Sequence, residues 1–240
     1  MTHEADLTAR EAEIIRAIRI LSPHARRFIV VGGYAVNALG LHRFSVDCDI
    51  VIAETDLGLF ERILTREGYD RDKPARPFSG LYGAQTVEYT KLIGNRRVSV
   101  DLFVNSVMCR QTGGEWGYSL IRKHSIEANV VGLSDSAVAF VPKRELLMAM
   151  KIHSGRDADL GDLIMLSEGA DWEAVGKFTT CGEKEKVIHQ LNTAVETIGK
   201  PEFPSSLTAE FSLRSDVAPL IKSTWNGLKK VAILLSAEWN

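Results

Sequence analysis

Apolar residues change their spacing several times along the chain, and each change marks an element. In "LTAREAEIIRAIRIL", Ile14, Ile15, Ile18 and Leu21 fall at helical intervals, and Thr8 followed by Glu11 has the form of a capping box. "RRFIVVGG" reads as a short buried strand stopped by Gly32 and Gly33, and the "YAVNALGL" that follows is long enough for about two helical turns. "SVDCDIVI" alternates, with Val46, Cys48, Ile50 and Ile52 on one face and Ser45, Asp47, Asp49 and Val51 on the other, which is strand periodicity. "TDLGLFERILTREGY" is an amphipathic helix, capped near Thr55 or Asp56 and ended by Gly68.

Residues 70–86, with Pro74, Pro77, Gly80 and Gly83, read as a loop. "TVEYTKLI" and "RRVSVDLFV" then form a hairpin across Gly94–Asn95. The second of these strands sets Val98, Val100, Leu102 and Val104 against a face holding Ser99, Asp101 and Phe103. From Glu145 the pattern becomes helical: "ELLMAMKIHSGRDADLGDLIMLSE" reads as one helix, a polar stretch near Thr179–Glu185 precedes "KEKVIHQLNTAVETIG", and Pro201 and Pro204 break the chain before "APLIKSTWNGLKKVAILLSA". The expected fold is α/β of the α+β kind, a small mixed sheet flanked by helices over residues 1–140 and a helical region over 141–240, joined near Val138–Lys143.

Composition narrows the classes. With 240 residues the chain has room for one large domain or two small ones. A formal net charge of −2 gives no global basic field, so a nucleic acid would be held only by a local patch. The polar start "MTHEADLTAR" lacks the form of a signal peptide, and no apolar run approaches the roughly 20 residues of a membrane span. Cys48, Cys109 and Cys181 are odd in number and far apart, which suggests neither zinc nor a disulfide framework; a reducing cytoplasm is the simplest setting.

The carboxylates carry the chemistry. Asp47 and Asp49 share a strand face, roughly 6.5–7 Å apart along the chain. If Asp101 lies on a neighbouring strand, three like charges converge and call for a cation. Oxygen ligands favour Mg²⁺ or Mn²⁺, whose shell is completed by water and substrate phosphates. Gly32 and Gly33, ending a strand before a helix, let an anionic phosphate approach backbone N–H groups. The pattern as a whole is that of a metal–nucleotide site.

"VVGGYAVNALGLHRFSVDCDIVI" resembles the signature of the DNA polymerase β-like nucleotidyltransferase superfamily, with "RVSVDLFV" as its third-carboxylate strand. Arg43 ahead of Ser45 resembles the AbiEii-like and MenT-like branch, known as toxins of toxin–antitoxin systems. That branch also has a Lys…Arg…Asp-x-x-Asp helix, which Lys151, Arg156, Asp159 and Asp162 match in order, although Ala158 stands where a basic residue is frequent. The resemblance covers about Arg27–Leu166. It implies catalytic and metal-binding roles for Asp47, Asp49 and Asp101, and nucleotide-binding roles for Gly32, Gly33, Arg43, Ser45, Lys151, Asp159 and Asp162. On a single helix with Lys151 at zero, Asp162 falls near ~20° and Asp159 near ~80°, opposite the apolar arc, provided that Gly155 does not break it. His153 falls toward the apolar side, a structural position. The implied reaction moves a nucleoside monophosphate from an NTP such as ATP to RNA, at a tRNA 3′ end, with an antitoxin protein as partner. A small hydroxylated molecule such as an antibiotic, a protein hydroxyl, or a nucleotide-binding module without turnover are the alternatives.

Overall fold

A computed structural model describes residues 3–40, 43–45, 47–72, 85–205, 207 and 217–238. The chain divides into two compact units, residues 1–107 with 116–143 and residues 108–115 with 144–240. The division read from sequence near 138–143 does not foresee that the segment 108–115 belongs with the second unit.

The first unit is built on a sheet of β1 (Phe28–Val30), β2 (Asp47–Ile52), β3 (Asp70–Arg71), β4 (Gln85–Ile93) and β5 (Arg96–Val104), in the order β1-β2-β5-β4-β3. Strands β2 and β5 run parallel and the other pairs are antiparallel. Cys48 pairs with Val100, which pairs in turn with Tyr89; Ile50 pairs with Leu102, which pairs with Val87. Cross-strand partners share a face, so these six buried side chains form one apolar surface. Helix α1 (His3–Leu21) packs against β5 and β4 and buries Ile14, Ile15, Ile18 and Leu21. Helix α2 (Gly32–Ala38) packs on β2, and α3 (Leu57–Arg66) buries Phe60, whose ring meets Phe28 edge-on at 5.8 Å.

Several elements depart from the expected pattern. Helix α1 begins at His3, so Thr8 is interior to it and no capping box forms. Glu11 is used instead across the fold, where its buried carboxylate accepts the Leu133 N–H at 2.6 Å. Within the expected loop, Asp70–Arg71 adds an edge strand to β4; Pro74, Pro77, Gly80 and Gly83 lie outside the described residues. After β5 come β6 (Ser106–Cys109), β7 (Gly114–Gly117), α4 (Tyr118–Lys123) and the hairpin of β8 (Ser125–Val131) and β9 (Ser136–Pro142). That hairpin packs Val130, Ala137, Ala139 and Val141 toward α1, α2 and β1. Asn105 turns the chain out of β5 with φ 68°. Its side-chain oxygen accepts the Glu54 N–H at 2.9 Å, and its backbone N–H donates to the Ile52 carbonyl at 2.8 Å.

The second unit contains α5 (Arg144–Ser154), α6 (Asp157–Leu166), α7 (Trp172–Thr179), α8 (Lys184–Ile198) and α9 (Ala218–Glu238). The single helix expected from Glu145 onward is two helices, because Gly155 adopts φ 55° and Gln190 of α8 fills the space where its side chain would stand. Lys151, Asp159 and Asp162 meet nonetheless, by tertiary folding rather than along one helical arc. The Lys151 ammonium lies 2.7 Å from Asp159 Oδ1 and 2.7 Å from Asp162 Oδ2, and all three residues are buried. Arg156 also reaches Asp159, at 2.7 Å. Burial alone would push the Asp159 carboxyl up, but the charge of Lys151 and the hydrogen bonds from Arg156 and Lys151 hold it well below its ordinary range.

His153 is buried against the 108–115 segment. Thr112 donates its hydroxyl to Nδ1 at 2.5 Å, while Nε2–H donates to the Thr179 carbonyl at 3.2 Å, the pattern of a neutral ring. Burial pushes this imidazole down to about 4, against the opposing Thr179 bond. Gly114 has to be glycine there, since a Cβ would stand 2.4 Å from His153 Nδ1. Asp171 caps α7 by accepting the N–H groups of Glu173 and Ala174. Among the described residues no helix is long and apolar enough to cross a membrane.

Two stability outcomes follow from these contacts. Asn105→Ala forces a left-handed backbone on alanine and orphans the Glu54 N–H, an expected loss of ~1–2 kcal/mol. Asn105→Gly keeps the backbone and should cost less, as urea midpoints will show. Lys151→Met leaves buried Asp159 with Arg156 alone and takes the lysine from buried Asp162, and should cost about 3–5 kcal/mol at pH 7. Because the paired carboxyl of Asp159 is depressed, its contribution is full above the unfolded value of 3.8 and is lost progressively as pH falls from there through its lowered folded value. The gap between Lys151→Met and wild type should therefore narrow in acid, which denaturation at pH 7 and at about pH 2 measures.

Candidate active site

The face of the sheet opposite α1 carries the acids. In the parallel register of β2 with β5, Asp49 stands beside Asp101 and Asp47 beside Ser99. In the antiparallel register of β5 with β4, Asp101 stands beside Glu88 and Ser99 beside Thr90. Asp49, Asp101 and Glu88 thus form a row across three strands, with Asp47, Ser99 and Thr90 as the row below. Ser99 donates its hydroxyl to Asp47 Oδ1 at 3.1 Å. Asp47 is exposed, while Asp49, Asp101 and Glu88 are partly buried.

Asp101 is at the centre of the repulsion. Burial raises its proton affinity, the charges of Asp49, Glu88 and Asp47 add to that in descending order, and the Ser99 hydroxyl opposes; the carboxyl is pushed up to about 7. Its Oδ1 is shielded from solvent and has no hydrogen-bond partner among the described residues. No three Asp, Glu, His or Cys side chains among the described residues stand ready as a closed ligand set, so the acids are neighbours on a face rather than a finished cage. Like charges on adjacent strands keep apart until something positive offsets them.

The glycines close the other side. Val31 donates its N–H to the Asp49 carbonyl at 2.9 Å, which brings the end of β1 alongside the start of β2. Gly32 follows with φ 64°, and a Cβ there would stand 2.0 Å from Asp49 Oδ2. Only glycine permits both that backbone angle and that approach. A Cβ on Gly33 would stand 3.1 Å from Arg43 Nη2 and 3.2 Å from Ser45 Oγ, so the guanidinium and the hydroxyl converge on its Cα. Ser45 Oγ also donates to the Asp47 carbonyl at 3.2 Å.

Two residues of α2 hold this arrangement, and neither is evident as a site residue in the sequence. Buried Asn37 donates to the Arg43 carbonyl and accepts the Arg43 N–H, both at 3.0 Å. Tyr34 donates its hydroxyl to the Ser45 carbonyl at 2.8 Å. The one signal for Asn37 is a polar side chain amid the apolar run "YAVNALG". Glu88 is the third omission; its signal is its place between Val87 and Tyr89, on the face of β4 opposite theirs.

Of the site residues named from sequence, Gly32, Gly33, Arg43, Ser45, Asp47, Asp49 and Asp101 all lie in the first unit and come together around the β2–β5 pair and the start of α2. Lys151, Asp159 and Asp162 lie in the second unit, where they satisfy one another in its interior.

No protein-family model matches the chain, and no curated protein matches it. Among solved structures it is similar to a Helicobacter pylori protein assigned as a nucleotidyltransferase, at 12% identity over 99% of this chain and 98% of that one, with a TM-score of 0.50. It is also similar to JHP933 from Helicobacter pylori, at 14% identity over 99% and 96% of the two chains with a TM-score of 0.45. A third is ANT(2")-Ia in complex with adenylyl-2"-tobramycin, at 12% identity over 97% and 100% with a TM-score of 0.42. At such identities the likeness is one of fold, and it rests on the first of the three: the chain has a mixed α+β fold of the nucleotidyltransferase kind.

Proposed function

We propose that the chain is a divalent-metal-dependent nucleotidyltransferase of the DNA polymerase β-like superfamily. The observation that carries the reading is the register that sets Asp49 beside Asp101 while Gly32 lies against the Asp49 carboxylate. The donor set is all oxygen, crowded with like charge, and includes a shielded carboxylate oxygen without a partner among the described residues, which suits Mg²⁺ or Mn²⁺. Asp47, Asp49 and Asp101 would hold the cation. When bound, such ions stabilise charge on the attacking and leaving oxygens of an in-line displacement.

The chain's own residues do the rest. Gly32 and Gly33 leave room for a triphosphate, and Arg43 and Ser45 present a guanidinium and a hydroxyl beside them. An acceptor hydroxyl oxygen attacks the α-phosphorus, the bond from that phosphorus to the bridging oxygen breaks, and pyrophosphate leaves. Asp101 takes the hydroxyl proton. Asn37 and Tyr34 position the Arg43–Ser45 segment without touching substrate. In the second unit the Lys151–Asp159–Asp162 cluster joins α5 to α6, so its part in nucleotide use is to shape that unit. The acceptor in this reading is RNA, at a tRNA 3′ end, with the enzyme acting as a toxin restrained by an antitoxin; its support is the resemblance carried by Arg43, Ser45 and the Asp47–Asp49 pair.

Incubation with each α-labelled NTP, Mg²⁺ and total RNA should place label in a tRNA-sized band. Label on an aminoglycoside or on protein instead would overturn the choice of acceptor while leaving the reaction class intact. Asp47→Asn should lower transfer at least a thousandfold with an unchanged circular dichroism spectrum; activity within tenfold of wild type would sink the mechanism.

The free protein should show the cost of the acid row. Between pH 3.8 and about 7 the folded chain keeps on Asp101 a proton that the unfolded chain has released. That stabilising contribution is complete below 3.8 and lost as pH rises through about 7. Asp101→Asn should retain it and exceed wild type in stability at pH 8 by roughly 1–3 kcal/mol in chelator, allowing for solvent screening. The advantage should vanish at pH 4, as thermal denaturation at the two pH values will test.

A further inference from the structure

We infer that Glu88 is a fourth acidic member of the cation site, a positioning residue that strengthens divalent-cation binding from the β4 side. The inference rests on the nucleotidyltransferase reading and extends it to a residue that no motif marks.

The register makes the case. Asp101 has two cross-strand neighbours on its face, Asp49 on one side and Glu88 on the other. Directly paired side chains on a sheet have Cβ atoms about 4.5–5.5 Å apart. Glu88 is thus as near in register to Asp101 as Asp49 is, whereas Asp47 is displaced by one row along β2. Three adjacent carboxylates in one row are unfavourable unless a cation offsets them.

The ordinary explanation for a strand glutamate is an ion pair on the protein surface. Among the described residues, the basic side chains around β4 are committed elsewhere. Arg97, on the face of Glu88, reaches Asp72 and the Thr90 hydroxyl. Arg71 pairs with Glu61 at 3.0 Å. Lys91 lies on the opposite face of β4 and pairs with Glu13 at 3.0 Å. Among the described residues the Glu88 carboxylate has neither an ion pair nor a side-chain hydrogen bond. Independently, the shielded Oδ1 of its neighbour Asp101 has no hydrogen-bond partner among the described residues. Two carboxylates side by side, both lacking a described counter-charge, are what a hydrated divalent ion would satisfy, because carboxylates beyond the direct ligands accept hydrogen bonds from bound water and raise metal affinity.

The test uses Mn²⁺ as probe on the full chain without nucleotide, with binding followed by calorimetry and by loss of the free-ion paramagnetic resonance signal. Glu88→Gln should weaken Mn²⁺ about tenfold. It should also have a melting temperature in chelator at or above wild type at pH 8, since the change removes one like charge from the row. Mn²⁺ affinity equal to wild type would overturn the inference. A melting temperature well below wild type, or failure to fold, would overturn it too, by showing that Glu88 is a structural partner. Asp101→Asn separates the two levels: loss of Mn²⁺ there with full binding in Glu88→Gln sinks Glu88 alone, and full binding in both sinks the cation site itself.

Discussion

The first unit depends on one unfavourable juxtaposition, the parallel pairing of β2 with β5 that sets Asp49 beside Asp101. Electrostatics oppose it from one face of the sheet, and hydrophobic burial enforces it from the other. Cys48, Val100, Tyr89, Ile50, Leu102 and Val87 are locked in register beneath the acids. A slip of one residue would turn all of them toward water, a penalty far larger than carboxylate repulsion partly screened by solvent. The apolar side therefore fixes the register, and the acidic side bears the repulsion. The sheet is what makes the row of acids possible.

A second constraint complements the first. In the proposed reaction a phosphate must come close to the acids, and that depends on backbone without side chains. Gly32 supplies this through its left-handed angle and its contact with the Asp49 carboxylate, and α2 extends it by binding the returning chain at Arg43 and Ser45. Asn37 is a buried polar residue whose two side-chain bonds go to one backbone unit, so it fixes the segment in both position and direction. The resulting site joins a rigid strand pair to a loop secured from within the core.

Local pattern carried the first half of the architecture. The alternation of Cys48, Ile50 and Ile52 marked β2, Gly94–Asn95 marked the hairpin, and the glycines marked the end of β1, because each signal lies within a few residues. What sequence could not show was non-local. Nothing in "TVEYTKLI" says that Glu88 will lie beside Asp101, since that follows from a pairing between strands. The helical periodicity around Lys151 ran on through Gly155, and only the packing of Gln190 makes the left-handed break visible. The lysine and aspartates that a wheel placed on an outer arc are interior, because the break redirects α6 and the opposite charges make their burial tolerable. β6 and β7, of four residues each, and β3, of two, are too short to show a period.

The excursion of residues 108–115 has an evolutionary consequence. The polypeptide passes between its two units three times, after 107, after 115 and after 143, and His153 takes Thr112 as its partner while Gly114 makes room for the ring. A gene fusion joined at codon 143 would pair a foreign helical half with the wrong eight-residue insert, and would leave the native half with a hole beside its imidazole. Exchanging the helical half intact therefore means moving two separated stretches at once, residues 108–115 and 144–240.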